Sequence, residues 1–239
     1  GTDHSEIFVT SKEAQEVIPK LPYIYDEPFS DSSQIPTYLV CSAASKKVKV
    51  ALSGDAGDEL FGGYNRYFWA PRLWSKVSWM PFPLRNFLGN TISLIPAYGW
   101  DKLESKFNNL RSDDKKINNF SNKAEKLAKG LKNSQSIDDL YLSLIAEWHN
   151  PSHIVLDNEN DNEAQFEELL QSFYSEVSIN NNSLDMMYKD SVSYLPDDIL
   201  CKVDRAAMSC SLETRVPFLD HRVVEHAWKM PFNMKIREN

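Results

Sequence analysis

Positive charge is in short supply in this 239-residue chain: Lys and Arg number 26 against 34 Asp and Glu, a formal net charge of -8. A protein that neutralises a phosphate backbone needs a basic surplus, so nucleic acid is not expected as the main partner. Cysteine is scarce too. Cys41, Cys201 and Cys210 are odd in number and lack metal-ligand spacing, which predicts free thiols in a reducing, cytoplasmic setting. Cys201 and Cys210 are expected to pack as small apolar side chains. Of the histidines only His149 and His153 share a four-residue spacing; without a companion acid motif they read as one turn of a surface helix. Long apolar runs are missing. The most lipid-like stretch, 68–100, is broken by Pro71, Pro81, Pro83 and Pro96 and carries Arg72, Lys76 and Arg85, so no membrane partner is expected. Buried helices fit that stretch better than a hydrophobic partner surface. The opening GTDHSEIFV has no basic-then-apolar signal pattern.

What is present points to a foldable protein, with 42% hydrophobic and 25% charged residues. Glycine totals only 8, yet Gly54, Gly57, Gly62 and Gly63 crowd into VKVALSGDAGDELFGGYNRY. The Val-rich run Val48 to Leu52 reads as a parallel strand whose carboxyl end turns into a short helix. In open α/β sheets that edge is where ligands bind. Asp55, Asp58 and Glu59 follow within five residues, and like charges so close call for a compensating cation or proton, with Mg²⁺ carrying a polyphosphate the natural one. The competing structural reading, at even weight, makes Asp55 the cap of the next helix. The glycines favour the ligand, because they let backbone approach it closely.

Around this motif the pattern alternates. A helix is expected over Ser11 to Ile18, capped by Ser11 and closed by Pro19, and another over Ile35 to Ala44, capped by Asp31 or Ser32. Helix, strand and helix in that order imply α/β organisation. From about Trp100 to Asn150 the chain turns charged and helical, with Leu140, Leu144 and Trp148 at four-residue spacing; 157–162 and 179–183 read as exposed connectors. Pro196 opens a further helix with Asp197 and Asp198 in its first turn and a stripe of Leu200, Val203, Ala207 and Cys210, running on until Pro217 breaks it after Arg215. Lys202, Arg205 and Ser209 share one face, a strip able to meet an anion. Pattern alone favours a plainer account, a solvated face with Asp198 paired to Lys202. Asp220 caps a last helix through Val223, Val224 and Trp228.

Taken together, SGDAGDELFGGYNRY and LPDDILCKVDRAAMSCSLETRVPFLDHRVVEHAW resemble the synthetase domain of glutamine-dependent asparagine synthetases, and GTDHSE and YDEPFSDSSQIPTYLV fit the same pattern. The resemblance implies a parallel-sheet nucleotide-binding α/β core of the ATP-pyrophosphatase (adenine nucleotide alpha hydrolase-like) type, truncated here, with a large helical portion. It implies adenylation of a carboxylate by ATP with Mg²⁺, then attack of ammonia on the acyl-adenylate. By the same resemblance Ser53 and Gly54 contact ATP. Asp55 holds the place of the acid that promotes the intermediate and can accept a proton from the amine, although several family members carry Glu there. Asp58 matches the Mg²⁺-binding acid. Arg205, with Lys202 as a weaker candidate, steadies the phosphates as pyrophosphate leaves. Asp26, Glu27 and Asp31 could border the acceptor but rank as caps first.

On this basis residues 1–67 are expected to form a partial nucleotide-binding core, 68–187 a variable helical region, and 188–239 a helical segment that completes the active site. The family's Ser-Gly-Gly-x-Asp-Ser pyrophosphate loop and its glutaminase domain with a terminal Cys have no counterpart in these residues. The expectation is therefore an internal piece of a longer protein that cannot complete the reaction alone. Its partners would be ATP, aspartate or another carboxylate, ammonia from glutamine, and the glutaminase domain. The alternatives are a related amidotransferase acting on a peptide, sugar or antibiotic precursor, and a non-catalytic homologue.

Overall fold

The computed structural model describes residues 4–96, 98–100, 120–145 and 179–236, with the single positions 2, 102, 104 and 177. The expectations for Trp148, His149, His153 and 157–162 lie outside the described residues. The chain divides into two compact units, Gly1–Tyr64 with Phe166–Asn239, and Asn65–Gln165.

In the first unit α1 spans Ser11–Val17, and Thr10, not Ser11, caps it: the Thr10 hydroxyl accepts from the Glu13 N–H while the Glu13 side chain takes the Thr10 N–H. This reciprocal bonding satisfies two donors that a helix start leaves open. A single tight turn, Ile18–Lys20, leads into α2, Leu21–Tyr25, which stops where Asp26 enters the left-handed region at φ 60°. Helix α3 covers Gln34–Ala44. Asp31 does not cap it as predicted. Its carboxylate accepts from the Ser33 N–H and hydroxyl, folding the loop just ahead of the helix.

Strand β1 is Val50–Leu52, and short helix α4 follows at Gly57–Phe61. One expectation fails here. The helix after Pro196 does not run to Arg215; a widened helical turn, Leu195–Leu200, continues as a helix only through Cys201–Ser209, and Glu213–Arg215 is strand β2. β2 lies parallel to β1, with Val50 opposite Glu213, Ala51 opposite Thr214 and Leu52 opposite Arg215. Ser211 at φ 53° makes the reversal. Periodicity misleads there because ETR is too short to show alternation. The expected connector at 179–183 is also a helix start, where Asn181 Oδ1 accepts from the Ser183 and Leu184 N–H groups. As predicted, Asp220 caps the helix His221–Lys229.

Among the described residues two apolar clusters help hold this unit. Cys41, Ala207 and Leu212 pack with Ala44, Ala51 and Cys210, and Ala56, Leu195 and Ile199 pack with Val216 and Phe218. The first clasps α3, the sheet and the Cys201–Ser209 helix; the second fixes the turn after β1. All three cysteines are free, Cys41 buried. Parallel strands are ordinarily covered on both faces, but Leu52 is 76% exposed here and Val48 and Val50 are also exposed.

The second unit is helical. In chain order after α4 come α5, Arg66–Val77, α6, Phe82–Ser93, α7, Phe120–Asn133, and α8, Ile137–Ile145. Small residues let α6 and α7 approach: a Cβ on Gly89 would sit 2.8 Å from the Ala128 carbonyl oxygen. Tyr67, Ala70, Leu140 and Tyr141 are buried on α5 and α8. The Arg85 guanidinium lies over the Trp74 ring at 4.8 Å and is itself buried. Helices α5 and α6 run through the stretch 68–100 as expected, but its described residues are only partly buried, since Trp79, Phe87, Leu94 and Tyr98 are exposed. Among the described residues no helix is long and apolar enough to cross a membrane. The architecture is mostly helical with a small parallel sheet, compatible with the α/β expectation.

Candidate active site

The ladder between β1 and β2 extends one step past Leu52, where the Ser53 N–H donates to the Arg215 carbonyl at 2.8 Å. The chain then leaves the sheet in a sharp turn. Ala56 adopts φ 66°, a conformation disfavoured for a residue with a Cβ, and its burial against Leu195 and Ile199 holds it there. At Gly54 a Cβ would meet nothing within 4 Å, so this backbone faces open space.

The three carboxylates that the sequence crowds together are sent in three directions. Asp55 turns back, and its carboxylate accepts a short hydrogen bond from the Ser53 hydroxyl. It does not cap α4, whose N-cap is Ala56 without a side-chain bond. Asp58 is exposed. Glu59 turns inward to 1% exposure and accepts from the Tyr64 hydroxyl at 2.8 Å. Burial, helped by the nearby Asp190 and Asp58 charges, pushes the Glu59 carboxyl above its usual range although the Tyr64 bond pulls the other way. Burial and the Glu59 charge push the Tyr64 phenol up as well.

The turn closes behind Asp58. Its carbonyl accepts from the N–H groups of both Gly62 and Gly63 at 2.9 Å. Gly62 needs φ 74°, and a Cβ there would fall 2.6 Å from Ile236; a Cβ on Gly63 would fall 1.8 Å from Asp58 Oδ1. The left-handed backbone at Gly62 therefore favours glycine, and a side chain at Gly63 would displace the Asp58 carboxylate.

The cationic strip sits on the helix Cys201–Ser209. Lys202 is buried, with its ammonium 2.5 Å from Asp31 Oδ2 and 2.7 Å from the Ser33 hydroxyl. Its partner is thus Asp31, 171 residues away, rather than Asp198. Burial opposes ionisation of Asp31, yet the hydrogen bonds from Lys202 and Ser33 hold its carboxyl below the usual range. Arg205 is about a third exposed, bonds the Tyr25 carbonyl and pairs with Glu27 at 3.0 Å. Burial pushes the Tyr25 phenol up to about 12, and its hydroxyl donates to the Lys202 carbonyl at 3.3 Å. The Ser209 hydroxyl donates to its own helix, to the Ala206 carbonyl.

Among the described residues no group of three or more His, Cys, Asp or Glu side chains is arranged to hold a metal ion. A dedicated cage is therefore not built from these residues. A single exposed carboxylate, Asp58, fits an ion such as Mg²⁺ that keeps most of its shell as water and phosphate oxygens. The residues that sequence reading did not single out are Tyr64, Ser33 and Tyr25. The Asp-x-Ser spacing at 31–33 carried a signal for the first loop, and a Tyr directly after Gly-Gly carried one for the turn.

A parallel strand, a glycine-bearing acidic turn at its carboxyl end and a helix carrying Lys202 and Arg205 lie in the same compact unit, an arrangement compatible with the α/β class. The chain belongs to the asparagine synthase family, whose profile matches residues 1–239. It is 29% identical to asparagine synthetase (glutamine-hydrolyzing) 1 of Bacillus subtilis over 99% of this chain and 33% of that protein. A putative asparagine synthetase (glutamine-hydrolyzing) of Mycobacterium bovis is 28% identical over 99% of this chain and 32% of its own length. A putative asparagine synthetase (glutamine-hydrolyzing) 2 of Methanocaldococcus jannaschii is 51% identical, but over 26% of this chain and 12% of its own. The chain thus spans about a third of the length of the first two relatives. No solved structure matches it significantly.

Proposed function

We propose that these residues form part of the synthetase site of an ATP-dependent, glutamine-hydrolysing asparagine synthase, built on a nucleotide-binding core of the ATP-pyrophosphatase type. A carboxylate oxygen of the acceptor, the aspartate side chain, attacks the α-phosphorus of ATP, and the bond to the β-phosphate oxygen breaks to release pyrophosphate. Ammonia then attacks the acyl carbon, AMP leaves with the shared oxygen, and the nitrogen loses a proton to give the amide.

The observation that carries this reading is a turn after β1 that leaves the Gly54 backbone open and the Asp58 carboxylate exposed, in a family whose named relatives are asparagine synthetases. Ser53 and Gly54 contact the nucleotide. Asp55, steadied by the Ser53 hydroxyl, assists formation of the acyl-adenylate and takes the amine proton. Asp58 holds Mg²⁺, which when bound neutralises phosphate charge. Arg205 exchanges its exposed Glu27 partner for phosphate oxygens as charge moves to pyrophosphate. Lys202 supports that helix from its pair with Asp31.

In the full-length protein Asp55→Asn is expected to lose aspartate-dependent pyrophosphate release while glutamine hydrolysis continues. Unchanged pyrophosphate release in that variant removes Asp55 from the chemistry.

A further inference from the structure

We propose that the hydrogen bond between buried Glu59 and half-buried Tyr64 is the positioning device that aims the Asp58 carboxylate at its metal–phosphate ligand. It rests on the reading of Asp58 given above and adds two residues that the reading does not use.

The connectivity makes the case. Glu59 directly follows Asp58, and Tyr64 directly follows Gly63. The bond between their side chains, 2.8 Å from the Tyr64 hydroxyl to Glu59 Oε1, therefore ties the neighbour of one residue to the neighbour of the other. Between those ties the Asp58 carboxylate lies directly against the Gly63 backbone, as the 1.8 Å approach of a Cβ there to Oδ1 shows. The main chain closes the base of the same turn through the Gly62 and Gly63 N–H groups on the Asp58 carbonyl. The main-chain bonds fix the span but leave Gly63 free to pivot. The side-chain bond removes that pivot.

Both partners are held. Glu59 is 1% exposed, and the Tyr64 ring meets the Tyr194 ring edge-on at 5.9 Å between centroids. Burying a carboxyl to 1% exposure works against stability. An apolar residue would fill the space without that cost but could not accept from Tyr64. Outer groups of this kind orient metal-binding carboxylates, and their loss commonly weakens metal affinity by about 10–100-fold.

The test uses the full-length protein with ATP and Mn²⁺, reading free Mn²⁺ by electron paramagnetic resonance. Tyr64→Phe and Glu59→Met break the bond from opposite sides, so either folded variant carries the test if the other does not fold. Each is expected to weaken Mn²⁺–ATP binding about tenfold. Glu59→Gln keeps an acceptor for the Tyr64 hydroxyl and is expected to bind as the unaltered protein does. Asp58→Asn is expected to lose the site. If Asp58→Asn loses it while the folded bond-breaking variants bind normally, the positioning role is wrong and the role of Asp58 stands. Normal binding by Asp58→Asn overturns the reading of Asp58 and the positioning role with it. Weak binding by Glu59→Gln, equal to that of Glu59→Met, also overturns the positioning role, because the hydrogen bond would then not be what matters.

Discussion

The loop at 25–33 half-buries a carboxylate and the turn at 53–64 buries one, and the two keep opposite company. Asp31 meets an ammonium and a hydroxyl, from Lys202 and Ser33, and its carboxyl is held low. Glu59 meets a neutral phenol with Asp190 and Asp58 close by, and its carboxyl is pushed up. The first arrangement is electrically closed and anchors the cationic helix. The second holds a carboxyl at a cost to its charged form next to an exposed acid, which makes it a poor structural anchor and leaves its hydrogen bond to Tyr64 as what it contributes.

The largest expected effect breaks the closed region. Asp31→Asn strands the buried Lys202 ammonium, which costs about 3–5 kcal/mol, a fall in melting temperature of about 6–20 °C for a chain of this size. A fall of only a degree or two would show that the pair is not an anchor. In the open region Gly63→Ala sets a Cβ against Asp58 Oδ1 and makes the carboxylate turn aside; Mn²⁺–ATP affinity is expected to fall with little loss of stability. Unaltered affinity there would break the link between turn geometry and metal binding.

The two carboxyls also predict opposite pH trends in stability. With its pKa depressed by folding, Asp31 contributes stability above the unfolded value of about 3.9, lost as pH falls through the lower folded value. With its pKa raised by folding, Glu59 contributes stability below the unfolded value of about 4.3, lost as pH rises through the higher folded one. Urea titrations at a series of pH values should therefore show Asp31→Asn flattening the acid limb. Glu59→Gln should flatten the decline on the other side of its titration, and the same slope change in both would erase the contrast. The smallest effect lies outside both regions. Thr10→Ala removes the α1 cap for about 1 kcal/mol, leaves Mn²⁺–ATP affinity alone, and calibrates the other variants.

Much of this was legible in the residues. Strand, turn and short helix at 48–61 followed from a Val-rich run and glycines, and the Asp220 cap followed from its place before an apolar stripe. β2 was not legible, because three residues of strand announce themselves only through a partner 163 positions away in the sheet register, Val50 opposite Glu213. The partner of Lys202 was missed for the same reason, since local spacing offers Asp198 while the fold supplies Asp31. The three carboxylates looked like one cluster because sequence gives proximity without direction. Ala56 at φ 66° and the Tyr64 bond to buried Glu59 separate them, and neither has a pattern of its own.

Oxygen transfer tests the central proposal most directly. With aspartate labelled with ¹⁸O in its side-chain carboxylate, turnover of the full-length protein is predicted to place one labelled oxygen in the AMP phosphate. Unlabelled AMP, or formation of ADP and inorganic phosphate instead, would contradict an acyl-adenylate made at this site.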